Sequence, residues 1–215
     1  MAAAAGLPLV AGRENPLETS TYGVGELLLH AARSGIRKIL LGIGGSCTND
    51  CGIGMAAALG FRFLDDRGNP VEPLAKNLGL IEEIVPPECL PELDLRVACD
   101  VDNPLLGEHG ATYTFGPQKG ADAEMLVLLE AGMAHFAQVL TQFCGIPLAD
   151  LPGSGAAGGL GAALRAFLGG RLMPGAELLL DSVGFDELLK EADIVFTGEG
   201  RIDWQSAHGK VPGTV

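Results

Sequence analysis

Apolar and polar positions alternate along this chain in blocks whose spacing predicts helices and strands in turn. Residues 123–143 carry apolar side chains at helical spacing and give the longest predicted helix, whereas the short apolar run at residues 39–43 is typical of a buried strand. The same patterns predict helices at residues 26–32, 53–59, 152–167 and 185–190, and strands at residues 95–99, 111–115 and 193–197.

Turn and cap residues separate these blocks. Ser20 or Thr21 can cap the first helix, and Gly35 gives its stop signal. Residues 61–71 read as a hairpin that turns at Gly68. Strands that alternate with helices predict an α/β fold with a mainly parallel sheet and flanking helices, and the hairpin adds a smaller mixed-sheet element.

The composition favours a cytoplasmic globular protein. The chain is 47% hydrophobic, but every apolar run falls well short of the roughly 20 residues of a spanning helix, and Met1 does not begin a signal-peptide pattern. The five cysteines are an odd number without framework spacing, so we expect reduced thiols. Cys47 and Cys51 are interpreted as small buried residues, because no second pair of ligands stands nearby in sequence.

The charge balance restricts the partners. A net charge of -13 disfavours nucleic acid and anionic membrane surfaces. We therefore expect small-molecule substrates, and any anionic one must be held by local dipoles and a few placed cations. The sequence leaves the oligomeric state open.

Three glycine-rich loops are candidate anion sites, at residues 42–50, 152–159 and 198–203. Glycine lets backbone N–H groups approach an anion closely, and a following helix adds its positive end. Each loop is equally well explained as a tight turn. A Walker A motif is absent from the sequence, and residues 153–158 match a dinucleotide-binding spacing without a clear preceding strand.

Acidic side chains follow several predicted strands, where ligands of α/β sheets bind. They are Asp50, Asp100, Asp102, Glu199 and Asp203. Such a group suits Mg²⁺ held by one or two carboxylates and substrate phosphates, although Asp50 and Asp100 taken singly are better explained as helix caps or turn residues. Lys119 and Lys210 follow polar loops, as phosphate-neutralising lysines do, but in isolation either is an ordinary surface lysine.

Six strings along the chain are together very specific. They are NPLETSTYGVGE (15–26), GIGGSCTND (42–50), ACDVDNPLLG (98–107), FGPQKGA (115–121), GSGAAGGLG (153–161) and TGEGRID (197–203). In content and order the chain resembles the type I glycerate kinase family. It departs from the family pattern at Cys47, where alanine is usual, and at Ser206, where threonine is usual.

The resemblance implies a bacterial two-domain transferase that phosphorylates an organic acid, D-glycerate, from ATP with Mg²⁺, commonly to 2-phosphoglycerate. Its domains would comprise a partial Rossmann-like lead-in (1–40), a central inserted α/β domain (41–180) and a return to the Rossmann-like domain (181–215). The family pattern extends beyond both ends of the chain. The chain alone is therefore expected to associate through uncovered edges and to be inactive without flanking segments.

The resemblance also suggests roles for residues. Asp203, Glu199 and Lys210 are the predicted catalytic residues, with Asp203 activating the glycerate hydroxyl or holding Mg²⁺ together with Asp100. The predicted substrate- and phosphate-binding residues are Gly44, Gly45, Ser46, Asn49, Asp50, Lys119, Gly155, Gly158, Arg201 and Gln205. Two alternatives stay open: a kinase for another small hydroxy acid, and a non-catalytic protein that binds glycerate or a nucleotide.

Overall fold

The computed structural model describes residues 1–196 and Gly198. Its strands are β1 (Lys38–Gly42), β2 (Arg62–Leu64), β3 (Glu83–Val85), β4 (Asp94–Ala98) and β5 (Arg171–Met173). Its α-helices are α1 (Ala2–Ala5), α2 (Tyr22–Arg33), α3 (Ile53–Ala58), α4 (Ala111–Phe115), α5 (Ala123–Cys144), α6 (Ala156–Leu168), α7 (Gly175–Ser182) and α8 (Phe185–Leu189). Short 3-10 helices occupy Leu7–Val10, Ala75–Leu80 and Pro117–Lys119.

Two sheets organise these elements. β1, β4 and β5 form a parallel sheet in the order β1-β4-β5, with Val97 of β4 between Leu41 of β1 and Leu172 of β5. β2 and β3 form a separate antiparallel pair in which Phe63 faces Ile84. This arrangement confirms the α/β class with a mainly parallel sheet and a smaller second element.

Helix α5 supplies much of the core. It ends at Gly145, whose φ of +71° suits a C-terminal glycine, and it begins after Asp122, whose carboxylate accepts a hydrogen bond from the Met125 N–H. By length and composition alone α5 could cross a membrane, contrary to the expectation that no segment comes close. Phe136, however, is fully buried and packs edge-on against Phe63 of β2, as in the core helix of a globular protein.

The predicted strand at residues 111–115 is wrong, because this segment forms helix α4. Its composition, Thr, Tyr and Phe, favours strands, but Ala111 and Thr112 are fully buried against α6. A side chain at Gly110, where the helix begins, would overlap the backbone of Leu106. Tertiary packing here overrides the local preference.

The predicted hairpin is correct in its turn, and its pairing forms only in part. Gly68 has a φ of +79° in the turn, but beyond it only the bridge between Leu64 and Pro70 forms, and the strand that pairs with β2 is β3. Two backbone hydrogen bonds flank this bridge, from the Asp65 N–H to the Asn69 oxygen (2.9 Å) and from the Val71 N–H to the Phe63 oxygen (2.8 Å).

Two further strand predictions need correction. β1 exists as predicted but is half exposed, since in the described residues β4 is its only neighbour and Leu40 is 50% exposed. Residues 193–196, predicted as a strand, form none, and Phe196 is 92% exposed. An extended segment needs a partner strand to satisfy its backbone, and none lies beside residues 193–196 in the described part of the chain.

Candidate active site

A cleft of about 320 Å³ lies at the carboxyl ends of β1 and β4. This is where ligands bind in open α/β sheets. Its walls come from the N-terminal segment, the loops after β1 and β4, the α4 region and the start of α6. The lining residues are Leu7, Ile43, Gly44, Gly45, Ser46, Ala98, Cys99, Asp100, Val101, Phe115, Gln118, Lys119, Ala156 and Ala157.

Asp50 fixes the shape of the loop between β1 and α3. Its buried carboxylate accepts hydrogen bonds from the Thr21 N–H (2.8 Å) and hydroxyl (2.7 Å), and from the N–H groups of Gly52 (3.2 Å) and Gly54 (3.3 Å). The Thr21 hydroxyl in turn accepts a hydrogen bond from the Met55 N–H, so it links α2 to α3 and does not cap α2. Burial raises the pKa of Asp50, and these four donors oppose that rise.

Asp50 was predicted to bind substrate, but it does not line the cleft and is fully buried. Its carboxylate holds the N-terminal ends of α2 and α3 together. The interpretation of Asp50 as a helix-cap residue therefore fits the structure better than a direct contact with substrate. Asp50 contributes to a site by positioning the loop at residues 44–52.

Lys119 is the cation of the cleft. It lines the wall although only 2% of its surface is exposed. Its Nζ donates a hydrogen bond to the Thr48 carbonyl oxygen (2.7 Å) and lies 5.9 Å from the centre of the Phe115 ring. Burial lowers the pKa of Lys119 to about 8, while the nearby Asp50 and Cys47 act in the opposite direction.

Asp100 lies on the β4 side of the cleft. Its Oδ1 accepts a hydrogen bond from the Gly175 N–H (2.7 Å) at the start of α7. Across the described residues, no group of three or more His, Cys, Asp or Glu side chains is arranged to hold a metal ion. A single carboxylate with one oxygen to spare still fits Mg²⁺, which is commonly held by one or two carboxylates and by substrate phosphates.

The glycines at the start of α6 have packing roles. A side chain at Gly155 would overlap the Pro104 carbonyl oxygen, and one at Gly158, whose φ is +68°, would overlap that of Thr48. The two glycines thus let α6 approach the loops after β1 and β4. Asn49, beneath this contact, donates a hydrogen bond to the Thr112 hydroxyl (3.2 Å), and its Oδ1 has no partner in the described structure. The anion-binding role predicted for Gly155, Gly158 and Asn49 stays a prediction.

The structure brings Gly44, Gly45, Ser46, Asp100 and Lys119 together around one cleft, from strings that lie far apart in sequence. Five other predicted site residues lie outside the described residues: Glu199, Arg201, Asp203, Gln205 and Lys210.

Several lining residues were not among the predicted site residues, including Leu7, Phe115 and Gln118. Phe115 and Gln118 belong to the same string as Lys119, so that string carried the signal for them. Leu7 is held in place because its N–H donates to the Gly45 carbonyl oxygen (3.0 Å), a contact with no sequence signature.

The fold and the cleft define an α/β protein with a small cleft at the carboxyl edge of a parallel sheet, lined by apolar residues together with a buried lysine and an aspartate. The sequence pattern of the glycerate kinase family matches residues 1–215. The chain therefore belongs to the glycerate kinase family.

Individual relatives agree with this assignment. The chain is 50% identical over 220 residues to a glycerate kinase of Halalkalibacterium halodurans, and 47% identical over 216 residues to glycerate 2-kinase of Escherichia coli, with 99% of the chain and 57% of each relative covered. The crystal structure of a candidate glycerate kinase 2 from Salmonella typhimurium LT2 matches with a TM-score of 0.89 at 44% identity, over 98% of this chain and 57% of that one. The chain thus spans somewhat more than half the length of these relatives.

Proposed function

We propose that this chain carries part of the active site of an ATP-dependent kinase that converts D-glycerate to 2-phosphoglycerate. The observation that carries the proposal is the cleft lined both by the buried Lys119, from the Pro117–Lys119 segment, and by Asp100, from the loop after β4. A small hydroxy acid carries a carboxylate, which such a lysine can bind, and a hydroxyl group, which can accept the phosphoryl group. The relatives named glycerate kinase and glycerate 2-kinase support the choice of acid and of product.

The reaction is a direct phosphoryl transfer. The acceptor hydroxyl oxygen attacks the γ-phosphorus of ATP, the bond from that phosphorus to the ADP oxygen breaks, and the hydroxyl proton leaves to a base. Catalysis in such transfers is mostly positioning and charge neutralisation, so the cleft contributes by fixing the acceptor. Asp203 is the proposed base, Glu199 is proposed as a second catalytic residue, and Arg201, Gln205 and Lys210 would contact the phosphates or the acceptor.

Mg²⁺, when bound, would neutralise the charge of the transferring phosphate. Asp100 and Asp203 are the residues proposed to hold it. Asp100 fits this role because only its Oδ1 is engaged, by the Gly175 N–H. Magnesium is commonly held by one or two carboxylates together with substrate phosphates, so Asp100 would supply one protein oxygen to the ion.

A chimera tests the proposal. This chain would replace the matching segment of the Halalkalibacterium halodurans glycerate kinase, so that its own residues form the cleft in a frame of full length. ADP release would be followed with D-glycerate and with a panel of other small hydroxy acids. We expect turnover with D-glycerate within the range of ordinary enzymes, about 1 to 10³ per second.

The product is identified by adding enolase, which consumes 2-phosphoglycerate directly and 3-phosphoglycerate only if a mutase is also present. Faster turnover of another hydroxy acid would support the alternative substrate. A folded chimera without any acid-dependent ADP release would contradict the kinase proposal and favour a binding protein.

A further inference from the structure

Lys119 is an unusual residue to bury. It belongs to the 3-10 helix Pro117–Lys119, and only 2% of its surface is exposed to solvent. It nevertheless lines the wall of the cleft. A lysine ammonium has three N–H donors. The described structure supplies one acceptor, the Thr48 carbonyl oxygen. Burial of a charge with few partners is costly, so the site is built at the expense of stability.

The groups that face Lys119 do not neutralise it by direct contact. From the loop after β1, Asp50 and Cys47 are the titratable neighbours, and the oxygens of Asp50 already accept hydrogen bonds from Thr21, Gly52 and Gly54. In the described part of the chain, no ion pair involves Lys119.

The remaining sides of the cleft around Lys119 are mostly neutral. From the α4 side come the Phe115 ring and Gln118, and from α6 the apolar Ala156 and Ala157. Asp100, the carboxylate that lines the cleft, comes from the loop after β4 and is tied to Gly175. The spare N–H donors of Lys119 therefore suit an anion that enters the cleft.

The size of the cleft indicates which anion. Its volume of about 320 Å³ lies at the lower end of the range for ligand pockets, roughly 300–1,000 Å³. A three-carbon acid fits within the cleft that the described residues form, whereas a whole nucleotide would extend beyond it. Asp100 also lines the cleft, and its carboxylate can accept a hydrogen bond from a hydroxyl group of the acceptor.

We propose that Lys119 binds the carboxylate of the acceptor acid, and not a phosphate of ATP, with Asp100 facing the acceptor's hydroxyl groups. The inference rests on the proposed function and adds the orientation of the acceptor to it. Lys119 then makes the cleft selective for hydroxy acids over uncharged polyols of the same size. A bound carboxylate would raise the pKa of Lys119 back towards the ordinary value for lysine, since a nearby negative charge favours the ammonium form.

Direct binding measurements test the proposal without any need for turnover. D-glycerate, glycerol and a non-hydrolysable ATP analogue would each be titrated calorimetrically into the chimera, into its Lys119→Met variant and into its control variant Lys76→Met, which removes an exposed lysine paired with Glu18. We expect Lys119→Met to weaken D-glycerate binding by about 10- to 100-fold, the value of a charge-assisted hydrogen bond. Glycerol should bind to the chimera at least as weakly as D-glycerate binds to Lys119→Met. The Lys76→Met variant should bind D-glycerate as tightly as the chimera does.

A second measurement needs no variant. The affinity of the chimera for carboxylate-labelled D-glycerate, followed by carbon NMR, should fall by up to about tenfold per pH unit above the pKa of Lys119. Unchanged glycerate affinity in Lys119→Met together with a loss of nucleotide affinity would show that Lys119 binds phosphate, and equal binding of glycerol and glycerate would also overturn the proposal. If glycerate binds through Lys119 but the chimera shows no transfer, the orientation stands and the proposed kinase function fails.

Discussion

Replacement of Lys119 by methionine should alter how the stability of this protein depends on pH. In the folded chain the pKa of Lys119 is about 8, against 10.5 for a free lysine. Between these values the unfolded chain binds more protons than the folded chain, so the free energy of unfolding contributed by this residue rises with pH. Below about pH 8 both states are protonated, and the folded state bears the full cost of the buried charge.

The size of the effect follows from the shift. At about 1.4 kcal/mol per pKa unit, burial of the ammonium costs roughly 3 kcal/mol below pH 8, and most of that cost disappears by about pH 10. Methionine has a similar length and no charge, so it removes the cost at every pH. It also leaves the Thr48 carbonyl oxygen without its donor, which costs about 1 to 3 kcal/mol at any pH. The change between two pH values is therefore more informative than the stability at either one.

The assay is urea unfolding at about pH 7 and about pH 10, carried out on the unmodified chain, Lys119→Met and the control Lys76→Met. Other titrating groups cancel in the comparison. The advantage of Lys119→Met over the unmodified chain should shrink by about 2 to 3 kcal/mol on going from the lower to the higher pH. If the two proteins keep a constant difference across this range, Lys119 is not a buried charged amine, and its role in binding an anion loses its physical basis.

Two further substitutions test the frame of the cleft, each by the free energy of unfolding in urea. Gly158→Ala should lower the free energy of unfolding by about 3 kcal/mol or more, because the φ of Gly158 is +68° and the added methyl group would overlap the Thr48 oxygen. Gly68 has a similar φ of +79° but open space around it, so Gly68→Ala should lower the free energy of unfolding by about 1 kcal/mol. Equal losses would mean that the close approach is unimportant. Asp50→Asn should cost about 2 to 4 kcal/mol, since an amide nitrogen then faces donors that need an acceptor. The control Asp66→Asn, at an exposed position, should leave the free energy of unfolding nearly unchanged. An equally small effect of Asp50→Asn would argue against the four-donor network.

The pattern of the sequence predicted those elements that are determined by local periodicity. Helix α5 follows from apolar spacing and the cap at Asp122, and β4 follows from a short apolar run. Helix α4 could not be predicted, because its strand-forming residues are helical only through contact with α6. The pairing of β2 with β3 depends on a segment about twenty residues away, which turn signals alone do not identify.

The candidate site was only partly predictable, for the same reason. The glycine loop at residues 44–46 and Lys119 were named from their strings, but the sequence does not reveal that Lys119 is buried and held by a backbone oxygen. Asp50 looks in sequence like the other acids that follow strands. Only the fold shows that its carboxylate is consumed by backbone and hydroxyl donors from α2 and α3.

The most direct test of this account is the position of D-glycerate in a crystal structure of the chain or of the chimera. The account predicts that the acid lies in the cleft after β1 and β4, with a carboxylate oxygen about 3 Å from Lys119 Nζ and a hydroxyl directed to Asp100. D-glycerate bound elsewhere, with a nucleotide phosphate on Lys119 in its place, would contradict it.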